Sequence, residues 1–102
     1  MKNLIISCRD LEKVFLTAIT GLTDKDLEPL IFCPNLKQLD ILGARLVTPD
    51  ICLRILQNCS KLQLIDLSFC DSITDIKIQE WQKSYPYVSF KRSFQATVLS
   101  DI

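Results

Sequence analysis

Apolar residues return along this chain at a long and nearly constant interval. Laying the sequence on itself brings Cys8, Cys33, Cys59 and Tyr85 into register at spacings of 25, 26 and 26 residues, and with them Leu11, Leu36, Leu62 and Val88. A second rung holds Val14, Leu39 and Ile65, and a third holds Leu16, Ile41 and Leu67. The second and third rungs lie two residues apart, which is the period of a strand with one face turned inward. After each strand comes a loop rung of Leu22, Val47 and Ile73, then Thr23, Thr48 and Thr74, then apolar residues at helical spacing. A threonine hydroxyl there accepts an orphan amide at a helix start, and Pro49 sits where a missing donor does no harm. The spacing predicts an inward helix side of Cys52, Ile55 and Leu56 in the middle unit, and of Ile76, Ile78 and Trp81 in the next. Pro29 falls inside the first helical segment and predicts a kink or a short 3₁₀ turn near Glu28.

The stretch from Cys59 to Asp75 reads C-S-K-L-Q-L-I-D-L-S-F-C-D-S-I-T-D. A period of this size with the strand template L-x-x-L-x-L-x-x-N/C is the pattern of leucine-rich repeats. The expected fold is therefore α/β, a leucine-rich-repeat solenoid of about three strand–helix repeats (8–32, 33–58 and 59–84). It has a parallel sheet and a closing C-terminal strand at 85–94, which makes one domain over 1–94 and leaves a tail at 95–102. The closing strand breaks the ladder, because Lys91 and Ser93 fall on apolar rungs. Val88, Phe90 and Phe94 then supply its inward face through a register shift. Asn3 to Ser7 reads as the end of a preceding repeat, so the strand around Leu11 to Leu16 is expected to offer a bare edge that self-associates.

Charge narrows the function. Twelve acids balance twelve bases and are scattered along the chain, so no single-sign field draws nucleic acid or an anionic membrane. Lys91-Arg92, the one basic cluster, reads as a solvated strand edge. No apolar run approaches the roughly 20 residues that span a bilayer, and Met1 to Ile6 is too short for a signal peptide.

Five cysteines open three readings: disulfides, a metal site or core. Cys8, Cys33 and Cys59 share one position of the repeat, Cys70 takes the N/C rung and Cys52 lies on the inner helix side, all places where a small apolar group fits. Zinc is disfavoured because the chain has no C-x-x-C and no histidine. Neither metal nor cofactor is expected, and the cysteines suit a reducing intracellular compartment. Catalysis is disfavoured too. No histidine is present to act as base, Ser68 and Ser72 lack a partner at a recognisable spacing, and Gly21 and Gly43 are too few to cradle a phosphate.

Recognition of another protein fits the residues better. The outward strand positions Lys13, Phe15, Thr17, Gln38, Asp40, Leu42, Leu64, Asp66 and Ser68, with Phe69 just beyond, form the candidate concave face. Phe15, Leu42, Leu64 and Phe69 are apolar where solvent is expected, which points to a covered surface. Asp40 and Asp66 should lie about 5 Å apart across the sheet. They read either as an acidic docking point or, more plainly, as two solvated residues whose repulsion costs little in water.

Four segments carry a resemblance: K-V-F-L-T-A from Lys13, L-K-Q-L-D-I-L-G-A-R from Leu36, L-I-D-L-S-F-C from Leu64 and Y-P-Y-V-S-F-K-R-S-F from Tyr85. Over roughly residues 11 to 94 the chain resembles the cysteine-containing repeats of F-box proteins. That resemblance implies the substrate-recognition half of a Skp1–cullin–F-box ubiquitin ligase, in which repeats hold the target and an F-box binds Skp1. No F-box occurs in these 102 residues, so Skp1 binding is not expected of them. A second resemblance is to mitochondrial repeat proteins related to ATP synthase subunit s and to the distal membrane arm assembly factor of complex I. It implies an assembly or coupling role, and between them the two place the chain in the cytoplasm or at mitochondria.

Overall fold

Thr23, Thr48 and Thr74 each stand at a helix N-cap in extended backbone. The computed structural model describes residues 9–92. Cys8, the segment ahead of it, Ser93, Phe94 and the tail from Gln95 lie outside the described residues. Within them the order is β1 (Lys13–Phe15), α1 (Asp24–Leu27), a 3₁₀ turn (Glu28–Phe32), β2 (Gln38–Asp40), α2 (Pro49–Asn58), β3 (Leu64–Asp66), α3 (Asp75–Ser84) and β4 (Ser89–Lys91). Over the described residues the chain is mixed α/β, with three helices and one four-stranded parallel sheet in sequence order. Among the described residues no helix is long and apolar enough to cross a membrane.

Local sequence sets the helices. Pro29 stops α1 after one turn and opens the 3₁₀ segment at Glu28, as a proline without an N–H requires. Pro49 starts α2 at its first position. The threonines differ in what they bond. Thr74 accepts the Lys77 amide at 3.2 Å, whereas the Thr48 hydroxyl donates to the Asp24 carboxylate, which also takes the Thr48 amide at 2.8 Å. Thr48 is thus tied to the preceding unit instead of capping its own helix. The residue after Thr48 is Pro49, so no such carboxylate waits for Thr74.

The register joins Val14, Leu39, Ile65 and Phe90 across the sheet. Phe90, not Lys91, fills the rung, because β4 starts one residue early relative to the other strands. That is the register shift expected from the sequence. The Phe90 ring stacks on Trp81 of α3 with centroids 6.2 Å apart. Behind the sheet one core gathers Leu22, Val47 and Ile73 from the loops with Leu36, Leu39, Ile41, Leu62, Ile65 and Leu67 from the strand rungs. Ile51, Cys52, Ile55 and Leu56 of α2 complete it, and each such isoleucine or leucine contributes roughly 1.5–3 kcal/mol by leaving water.

One helix expectation fails. Ile78 and Trp81 are buried, but Ile76 is 69% exposed. Ile76 and Ile78 are two residues apart, about 200° around a helix, so they cannot share a face. Ile76 occupies the place of Asp50 in α2, which is also exposed. At the β1 edge, Leu11 and Leu16 are only half buried.

Candidate functional site

Two rows of side chains cross the sheet face that points away from the helices. One runs Lys13, Gln38, Leu64, Ser89 and the other Phe15, Asp40, Asp66, Lys91, with neighbours about 4.8 Å apart. Lys13, Phe15 and Thr17 are exposed, while Gln38, Asp40, Leu42 and Leu64 are half buried. Phe15 is 63% exposed and Phe69 is 37% exposed. Phe15 lies two strands from the column that ends in Phe69, so about 10 Å separates them across the sheet.

Asp40 and Asp66 are paired in register as the spacing predicts, yet their carboxylates are already engaged. Asp40 Oδ1 accepts the Leu42 amide at 3.0 Å and Asp66 Oδ1 accepts the Ser68 amide at 2.9 Å. Each aspartate closes the turn at its strand end by bonding two residues on, which short carboxylate side chains do readily. The expectation of two solvated acids holds for Asp40 only in part, and for Asp66 it is corrected. Asp66 is buried, and so is Ser68, whereas Asp40 is half buried although β2 also has a strand on either side.

The same turns place one residue per unit in the left-handed region: Ala18 at φ 62°, Gly43 at 82° and Phe69 at 60°. Glycine is at ease there. A bulky residue is not, at a cost of roughly 1–2 kcal/mol. Phe69 holds this conformation with its ring in part exposed to solvent, and strain of that kind gathers at functional positions.

Arg92 is not the solvated strand edge that the sequence predicts. Its guanidinium donates to the carbonyls of Leu67 at 2.8 Å, Cys70 at 3.2 Å and Ile73 at 2.5 Å, and its Nε lies 3.6 Å from Asp75. Asp75 follows Thr74 as Asp24 follows Thr23, and both carboxylates bond to the unit that comes next. No spacing marks Arg92, since its role arises only where the ladder of units ends.

The described cysteines, Cys33, Cys52, Cys59 and Cys70, are buried. Three of them also act as donors. Cys59 Sγ lies 3.2 Å from the Leu30 carbonyl, Cys70 Sγ lies 3.2 Å from that of Ile41, and Cys33 Sγ lies 3.7 Å from that of Pro29. Burial pushes the Cys59 thiol up to about 11, with neighbouring Cys33 adding to it, and burial likewise raises Cys52 and Cys70. Such thiols are poor nucleophiles and poor ligands. Ser72 donates to the Arg45 carbonyl at 2.8 Å, a turn-to-turn bond between units. No family model matches the chain.

Proposed function

We propose that this chain is a non-enzymatic protein-recognition module, built as a leucine-rich-repeat solenoid whose outward sheet face is concave. On this reading its repeats serve as do the C-terminal repeats of F-box/LRR-repeat protein 4, which they resemble, and hold the target of a ubiquitin ligase while a separate F-box engages Skp1. Strands that follow one another in sequence order, the first three each trailed by a helix, support the solenoid. Buried thiols that donate to carbonyls support a reducing intracellular setting.

The observation that carries the reading is Phe69, an aromatic held in left-handed backbone and 37% exposed in the turn just beyond β3. Neither ring is needed to fill the core, and exposed aromatics at a sheet face are the groups that anchor partners. The test compares proteins retained from cell extract by the wild type with those retained by a Phe15→Ala/Phe69→Ala double variant. A partner retained only by the wild type is expected, with each ring worth about 2 kcal/mol of binding. Identical retained sets would contradict the reading.

A further inference from the structure

The turns leading into β3 and β4 are each closed by an amide that donates back to the turn's first carbonyl. Leu62 donates to Cys59 at 3.1 Å and Val88 to Tyr85 at 3.0 Å. Between these turns and the starts of β2, β3 and β4 runs an open groove of about 590 Å³, lined by Lys37, Ser60, Lys61, Gln63, Tyr87 and Ser89. It borders the outward face, since Ser89 is the register partner of Leu64. Its charged lining residues, Lys37 and Lys61, are both cations. Lys37 Nζ lies 3.5 Å from Glu12 and Lys61 Nζ donates to Asn35 Oδ1 at 2.9 Å. The Lys37 and Glu12 side chains are 40% and 54% exposed, so their pair is weak in water and can be exchanged for a ligand's carboxylate. The acids of the face, Asp40 and Asp66, are each held to a backbone amide, and Asp66 is buried. Tyr87 adds an aromatic ring, 58% exposed and held edge-on to Tyr85 at 6.3 Å.

We infer that this groove receives an acidic segment of a partner polypeptide, a refinement that rests on the recognition reading above. Carboxylates of the segment meet Lys37 and Lys61, an apolar side chain lies against Tyr87, and Ser60, Gln63 and Ser89 bond its backbone. The span from β2 to β4 is two strand spacings, about 10 Å, which accommodates about three extended residues.

The test is fluorescence anisotropy with a labelled peptide of four glutamates around a central phenylalanine, and with its counterpart carrying lysines in place of the glutamates. Saturable binding of the acidic peptide is expected. It should weaken about tenfold in Lys37→Gln/Lys61→Gln, a variant whose thermal melt stays that of the wild type, and should weaken again as salt rises. Lysine-peptide binding that disappears in Phe15→Ala/Phe69→Ala, with none for the acidic peptide, would overturn the groove while leaving the recognition face standing. Failure of the acidic peptide to bind, or equal binding to wild type and the glutamine variant, would overturn it as well.

Discussion

The Arg92 guanidinium donates to the carbonyl of Leu67 at 2.8 Å. One unit earlier the matching carbonyl, that of Ile41, receives the Cys70 thiol at 3.2 Å. The Ile41 and Leu67 carbonyls each accept an amide of their own turn, from Ala44 and Cys70, and each takes a second donor from farther along the chain, a thiol for Ile41 and an arginine for Leu67. Arg92 also reaches the Cys70 and Ile73 carbonyls, so one side chain bonds three carbonyls of a turn whose backbone amides of Cys70 and Ile73 close it as well.

Replacing it should be costly. Arg92→Ala removes a charged donor from three turn carbonyls, of which those of Leu67 and Cys70 keep a backbone amide, and should lower unfolding free energy by about 2 kcal/mol, measured by urea denaturation. Arg92→Lys keeps the charge but lacks the planar fork, and should recover less than half of the loss. An alanine variant within about 0.5 kcal/mol of wild type, the range of ordinary surface substitutions, would show that the cap is ornamental.

Asp40 and Asp66 look interchangeable in sequence and should not behave so. Asp66→Lys forces a long cation into a buried site and removes the acceptor for the Ser68 amide, so a loss of about 3 kcal/mol or more is expected. Asp40→Lys, at a half-buried site, should lose about 1 kcal/mol. Asp66→Asn, which keeps an acceptor oxygen, should fall near the milder value. Equal melting points for the two lysine variants would count against the turn-closing role.

The buried thiols give a pH signature. Cys59 is held neutral in the fold up to about 11 against an ordinary 9.0, chiefly by burial. Above pH 9 the unfolded chain releases protons that the folded chain retains, so the contribution of this group is complete below that pH and drains away as pH rises toward 11. Stability should accordingly decline between pH 9 and pH 11, more steeply in wild type than in a Cys59→Ala variant. At pH 8 an alkylating reagent should leave Cys52, Cys59 and Cys70 unmodified until denaturant is added. Rapid native labelling of Cys59 would contradict its burial.

Much of the fold was legible because it repeats. The threonine positions at the helix starts, the 3₁₀ turn at Pro29, the pairing of Asp40 with Asp66 and the inward shift of Phe90 all follow from spacing, and spacing is what a sequence displays directly. Ile76 was misread because its apolar character was weighed without its angle on the helix. Thr48 and Arg92 were missed for a different reason. Their partners, Asp24 and the turn carbonyls of Leu67, Cys70 and Ile73, lie between 19 and 25 residues away, and a hydrogen bond between units leaves no mark on local periodicity. Burial of Asp66 was hidden likewise, since Asp40 holds the paired register position and is only half buried.

The recognition face is tested most directly by site-specific photocrosslinking in cell extract. Benzoylphenylalanine is placed in turn at Phe15 and Phe69 on the outward face, and at Leu53 and Ile76 on the helical side, positions that are all exposed in part and leave the core intact. The predicted result is one protein species captured from both Phe15 and Phe69 and from neither Leu53 nor Ile76. Capture from the helical positions, with none from Phe15 or Phe69, would contradict it.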